Sequence, residues 1–164
     1  MTAGSERMDR IAVRQARHQD GESVGAFLAG LSVDSRHRRF FSPIRHVSPA
    51  LVRKMVTVTP RQFVLLALDG DAVVGHVMAV RTGERTVDVG IVVAEGYRYR
   101  GIGGRLVREL GGTLEALGCT QVCCDVLGEN RFVLEWLRRL MPDLRLERSG
   151  ATVTVRGSLT PHAA

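Results

Sequence analysis

The chain has 164 residues, 45% of them hydrophobic, which suits one domain burying its own core without metals or disulfide staples. No apolar run approaches the ~20 residues of a membrane span. The opening MTAGSERMDRIAV has no apolar stretch behind its charges, so a cytoplasmic protein with no secretory signal and no membrane contact is expected. The net charge is +6, but the arginines are scattered, aromatics make up only 5%, and no helix-turn-helix, zinc-finger or RNP pattern accompanies them. Nucleic acid is therefore not an expected partner.

In chain order, Ile11–Arg17 alternates apolar and polar residues and reads as a strand. Gly21–Leu31 puts Val24, Phe27, Leu28 and Leu31 on one helical stripe. Val33–Phe41 reads as a short arginine-rich helix ending in Phe40-Phe41. Ser48-Pro49 opens a helix that runs to about Val56, a hydroxyl cap followed by proline in the first turn. Gln62–Leu68 and Ala72–Arg81 are strands around the hairpin signal Asp69-Gly70-Asp71. Thr86–Val93 is the next strand, entered through Thr82-Gly83-Glu84. Ile102–Leu117 carries Ile102, Leu106, Leu110, Leu114 and Leu117 in line, and Gly118 closes it. Gly111 and Gly112 inside this helix each cost about 1 kcal/mol against Ala, and close packing on the sheet is the expected compensation. Gln121–Leu127 is a strand. Asn130 is placed to cap the helix Arg131–Leu140, with Val133, Trp136, Leu137 and Leu140 as its buried line, and Pro142 stops it. Leu144–Glu147 and Ala151–Arg156 close as a hairpin around Ser149-Gly150. Hairpins followed by helical crossovers predict a mixed α/β sheet with helices on both faces. A single domain over 1–164 is expected, with disordered ends at 1–9 and 158–164.

Cys119, Cys123 and Cys124 are odd in number, which argues against a disulfide framework. Cys123 and Cys124 are strand neighbours and point to opposite faces, so they do not readily share one ion. Buried packing is their expected role, with no metal site.

The most informative segment is VGIVVAEGYRYRGIGGRL, Val89–Leu106. An apolar strand leads into a turn with glycines at 101, 103 and 104, and a helix follows. Such a turn aims backbone N–H groups at one point beside the positive end of a helix and several guanidinium groups, a receptor for a pyrophosphate-type anion. Gly101 and Gly103 are expected to supply conformations and close approach that a Cβ would block, and Arg98, Arg100 and Arg105 charge-assisted contacts. A Rossmann fingerprint fails because Leu106 stands at its last glycine, and a Walker loop fails for lack of Gly-Lys-Ser/Thr.

The pattern R-x-x-G-x-G, Arg98 through Gly103, resembles the phosphate-binding motif of the GNAT superfamily of N-acetyltransferases, and the element order is similar to that fold over almost the whole chain. The resemblance implies a mostly antiparallel central sheet of six to seven strands and acetyl-CoA as acyl donor. It implies that Arg98, Tyr99, Arg100, Gly101, Ile102, Gly103 and Gly104 hold the pyrophosphate. The backbone of Ile91, Val92 and Val93 would pair with the pantetheine arm, and an N–H there would stabilise the oxyanion. Asn130 matches a position that contacts pantetheine or the strand ends; helix capping is its other role.

Acetyl transfer needs a neutral amine, so a proton acceptor is required. Asp88, an acid within an apolar strand, is the candidate base, its alternative being a solvent-facing strand acid; Glu84 is second and a candidate acceptor contact. Many GNAT enzymes carry a Tyr seven residues after the Asn, where this chain has Leu137. A thiolate of pKa ~8.5 leaves without full protonation, so the loss is tolerable. His76, in a Val-rich strand, reads as a packed or hydrogen-bonded histidine, with lining of the acceptor site as its other role.

A narrower resemblance is to bacterial protein lysine acetyltransferases of the Pat type. It rests on SRHRRFFSPI (Ser35–Ile44), Val47-Ser48-Pro49 and GENRFVLEWLRRL, with His37 replacing a usual Tyr, Met141-Pro142 a usual Gly-Phe, and Asp88 a usual Glu. It implies a protein lysine as acceptor and places Phe40 and Phe41 beside it, core anchoring of at least one being the other expectation. A homodimer is also compatible with it. A small-molecule or antibiotic acetyltransferase and a non-catalytic CoA-binding regulatory module are the alternative readings.

Overall fold

Seven strands form a single sheet in the order β1-β2-β3-β4-β5-β7-β6. They are β1 Ile11–Gln15, β2 Gln62–Asp69, β3 Ala72–Arg81, β4 Thr86–Val93, β5 Gln121–Leu127, β6 Arg145–Ser149 and β7 Thr152–Ser158. The helices are α1 Gly21–Gly30, α2 Val33–Phe40, α3 Pro49–Val56, α4 Ile102–Ala116 and α5 Arg131–Leu140. This computed structural model describes residues 10–158. The expectation of disordered ends lies outside the described residues, except at Ser158, which closes β7. β1 runs antiparallel to β2, and β7 antiparallel to β5 and β6. Thr86–Asp88 of β4 runs parallel to Gln121–Cys123 of β5. The mixed, mostly antiparallel α/β fold expected from sequence is thus present.

The chain divides into two units, Met1–Met78 with Ile91–Leu110, and Ala79–Gly90 with Gly111–Ala164. In the first, neighbouring residues of β3 explain why helices lie on both faces. A Cβ on Gly75 would meet Leu106 Cδ1 at 3.1 Å and Ile102 Cγ2 at 3.3 Å, so α4 lies close on that face. His76 points to the opposite face and bonds Met55 O of α3 at 2.8 Å. α1 joins that layer, with Gly21 and Gly25 facing Val52. Val24, Leu28, Val64, Leu66 and Val77 between these elements are fully buried.

The second unit packs α5 on β5 and β7. Cys124, Val126, Leu134, Leu137, Met141, Val153 and Val155 form its core, with Val133, Trp136 and Leu140 only partly buried against it. Of the line expected from sequence, Leu137 is buried and Val133, Trp136 and Leu140 pack half-buried on the same face, while Leu134 is a buried residue that line lacked. Gly157 leaves room for Met141, whose Sδ would lie 2.6 Å from a Cβ there. Cys119 and Cys124 are buried and Cys123 half-buried, as packing residues.

Two expectations for α4 fail. Leu117 lies beyond its end and is 46% exposed. Cβ atoms at Gly111 and Gly112 would meet nothing within 4 Å, so close packing does not explain either glycine.

Candidate active site

The Arg98–Gly104 turn is built from the backbone. β4 ends at Val93, a short 3-10 turn spans Glu95–Tyr97, and α4 starts at Ile102. Tyr99 takes φ 61° and Gly101 φ 82°. Left-handed residues on either side of Arg100 bend the chain sharply just before α4, and turns of this kind are suited to anions. The conformational need falls on Gly101 and, unexpectedly, on Tyr99, whose side chain is 81% exposed. Gly103 belongs to α4, so the freedom expected of it is not the reason for that glycine. Gly104 offers open space, with nothing within 4 Å of a Cβ. The turn fits a diphosphate in its backbone geometry, with the α4 N-terminus adding roughly half a positive charge.

Two of its arginines are committed to the protein itself. Arg98 Nε donates to Val93 O at 3.1 Å and its Nη2 to Ser35 Oγ at 2.8 Å. Arg105 Nη1 donates to Ile11 O, and its Nε lies 3.4 Å from Glu109. Through these contacts the two guanidiniums also brace the turn and α4, a role the sequence did not reveal. Arg100 lies over the Tyr97 ring at 5.4 Å, and the Tyr97 hydroxyl donates to Asp69 at 2.7 Å.

Sequence reasoning missed a cluster that joins this turn to α2. Ser32 caps α2 through Ser35 N at 3.1 Å. Glu95 Oε1 accepts from Ser32 N at 2.9 Å and from Ser35 Oγ at 2.6 Å. Burial pushes the Glu95 carboxyl up, but the bonds from Ser35 and Ser32 outweigh it and hold it down at about 2. The S-x-x-S spacing at Ser32–Ser35 was the available signal.

Phe40 is half-buried under the Arg39 guanidinium, 5.0 Å from its ring centroid. Phe41 ends α2 at φ 58° and is 42% exposed. Neither is a fully buried core anchor, which corrects that expectation. His76 is completely buried, as a hydrogen-bonded histidine; its Nε2–H donates to Met55 O, and Nδ1 has no hydrogen-bond partner. Burial, with Arg39 assisting against the Met55 bond, pushes it down to about 4.

The first unit thus brings together Ile91, Val92, Val93, the Arg98–Gly104 turn and the start of α2. Asp88, Glu84 and Asn130 belong to the second. Asp88 is exposed on β4, in register with Cys123, and its charge helps raise the thiols of Cys123 and Cys124 after burial has done most of it. Glu84 is exposed in the turn before β4. The Asn130 side chain makes no cap hydrogen bond, so capping is not its role. Leu137 is buried in the core of this unit, so that position supplies packing and no proton. Among the described residues no group of three His, Cys, Asp or Glu could hold a metal ion, and no helix is long and apolar enough to cross a membrane.

No curated protein sequence matches the chain. Solved structures do. The GNAT domain of S. lividans PAT has a TM-score of 0.82 at 19% identity, covering 89% of each chain. The PaiA N-acetyltransferase from Thermoplasma acidophilum, solved in complex with coenzyme A, has a TM-score of 0.73 at 12% identity, covering 90% of this chain and 98% of that one. A cAMP-binding acyltransferase from Mycobacterium smegmatis has a TM-score of 0.63 at 22% identity, covering 92% of this chain and 44% of that one. The acetyltransferase (GNAT) family matches residues 33–140, which include α2, the turn and α5. With well over half of its length matched, the chain belongs to the GNAT family of acetyltransferases, whose members use acetyl-CoA.

Proposed function

We propose that this chain transfers an acetyl group from acetyl-CoA to the ε-amine of a protein lysine by direct attack. The observation that carries the reading is the turn with φ 61° at Tyr99 and φ 82° at Gly101, opening onto the N-terminus of a 15-residue helix. The N–H groups of Arg98–Gly104 would grip the diphosphate, and the backbone of Ile91–Val93 would align the pantetheine arm as an added strand. Asn130, its side chain not used as a cap, would contact that arm.

The donor supplies an activated thioester. The amine nitrogen forms the new N–C bond, the C–S bond breaks, and coenzyme leaves as a thiolate. Asp88 would take the amine proton, directly or through water, because a lysine near pKa ~10 is mostly charged at pH 7. A backbone N–H of Ile91–Val93 would carry the oxyanion.

Charge distribution supports a protein lysine over a polycationic small amine. Arginine is spread along the chain, but its surplus is not. Residues 32–62 hold seven Arg or Lys against the single acid Asp34, a net +6 equal to that of the whole chain. Asp34 is itself paired with Arg38 at 3.2 Å. This segment includes α2, which is bonded to the turn through Ser35. Exposed Phe41 at its end offers an apolar contact for a lysine stem, with Phe40 and Glu84 as further acceptor contacts.

The test is thiol release from acetyl-CoA with lysine peptides against polyamines. Turnover is expected with peptides, and Asp88→Asn is expected to lower the rate by ~10²–10⁴. No turnover with any amine despite CoA binding would overturn the enzymatic reading. An Asp88→Asn rate equal to wild type at every pH would remove Asp88 from the reaction.

A further inference from the structure

Arg98 opens the phosphate turn, yet its guanidinium is directed at the protein. One end returns to the last carbonyl of β4, Val93 O, at 3.1 Å. This closes the excursion between strand and turn and sets where the turn begins. The other end reaches Ser35 Oγ at 2.8 Å, 63 residues away in sequence. Ser35 is only 4% exposed, so its side of this part-buried contact is shielded from water.

The hydrogens around Ser35 can be assigned without conflict. Its hydroxyl donates to Glu95 Oε1 at 2.6 Å and accepts from Arg98 Nη2. Ser32 Oγ lies 3.0 Å from Ser35 Oγ and donates to its remaining lone pair, while accepting from Ser35 N at 3.1 Å. Glu95 Oε1 also receives Ser32 N at 2.9 Å. Glu95 therefore anchors the first turn of α2 from outside the helix, and Ser35 passes that anchor to Arg98. A connected hydrogen-bond network of this kind restrains the geometry of its members.

We propose that Ser35 and Glu95 are positioning residues that fasten α2 to the coenzyme turn, so that coenzyme binding and the placement of α2 are energetically coupled. The inference rests on the reading of Arg98–Gly104 as the coenzyme turn. It makes a two-way claim, because a coupling between two events acts equally in both directions. Occupation of the turn steadies α2, and loss of the α2 anchor loosens the turn.

The experiment titrates CoA into the purified chain and its variants by calorimetry, and follows amide hydrogen exchange over residues 32–41 with and without CoA. In the wild type, CoA is expected to slow exchange across α2. Ser35→Ala and Glu95→Ala are expected to bind CoA about tenfold more weakly and to lose the CoA-dependent protection of α2 while remaining folded in thermal melts. Glu95→Gln keeps a carbonyl acceptor and is expected to stay within about threefold of wild type. A helix staple with no link to the coenzyme would lower the melting temperature without changing CoA affinity. That outcome, or wild-type CoA binding that leaves α2 exchange unchanged, overturns the inference while leaving the coenzyme site intact. Absence of CoA binding in the wild type would instead overturn the reading of the turn, and this inference with it.

Discussion

The Arg98–Gly104 turn and helix α2 are both short and rich in arginine, yet they are specified in different ways. The turn is built from neighbours in sequence. Its shape follows from φ 61° at Tyr99 and φ 82° at Gly101, and from the helix that starts one residue later. Helix α2 has eight residues, too few for stable helix on its own. It is held by Ser32 within the segment and by Glu95 and Arg98 from some 60 residues away. A local motif can carry an anion site, but the helix bonded beside it depends on the tertiary fold.

The largest effect is expected from breaking the turn without touching α2. Gly101→Val places a β-branched side chain at φ 82°, a conformation such residues rarely adopt. CoA affinity is expected to fall at least ~100-fold, about 3 kcal/mol, with α2 exchange unchanged in the absence of CoA. Calorimetry giving wild-type affinity would show that the turn tolerates the change and is not shaped by that residue.

The next effect tests the layer that carries α3. His76 is completely buried and held down at about 4 against an ordinary value of 6.5. The unfolded chain therefore binds more protons between those values, and stability falls as pH falls from about 6.5 to about 4. The loss approaches about 3 kcal/mol when the window is complete. Glu95, held at about 2, contributes stability that is present above 4.5 and lost below it as pH falls toward 2. Denaturant melts between pH 7 and 4.5 thus isolate His76. His76→Leu is expected to lower stability at pH 7 and to flatten the slope; an unchanged slope would place the proton uptake elsewhere.

The smallest effect sharpens the view of α4. With no neighbour within 4 Å of a Cβ at Gly112, Gly112→Ala is expected to stabilise the chain by about 1 kcal/mol. A melt showing destabilisation would reveal a packing or functional constraint on that glycine.

The same contrast explains what could be read from the sequence. Strands and helices followed from apolar spacing, and R-x-x-G-x-G marked the turn. Individual side chains were less legible. Arg98 and Arg105 look alike as phosphate contacts until their partners Ser35, Val93 and Ile11 are in place. Glu95 reads as a solvated loop acid until α2 is folded against it. Asn130 stands at a cap position, but its φ −81° and ψ 65° accompany no side-chain cap bond. Leu134 was missed because Val133, Trp136, Leu137 and Leu140 also fit a helical stripe, and the spacing alone does not fix which edge faces β5 and β7. Leu117 fits the spacing of α4 but lies past its last residue, Ala116.

The central claim is that this turn grips a diphosphate, and the direct measurement is a pair of calorimetric titrations, one with CoA and one with pantetheine, which has the arm but no diphosphate. Saturable binding of CoA is expected, with pantetheine, which also lacks the adenosine 3′-phosphate, at least ~100-fold weaker, about 3 kcal/mol, and with most of that gap lost in Gly101→Val, the share that belongs to the turn. Equal affinity for the two, or no heat from either, would contradict it.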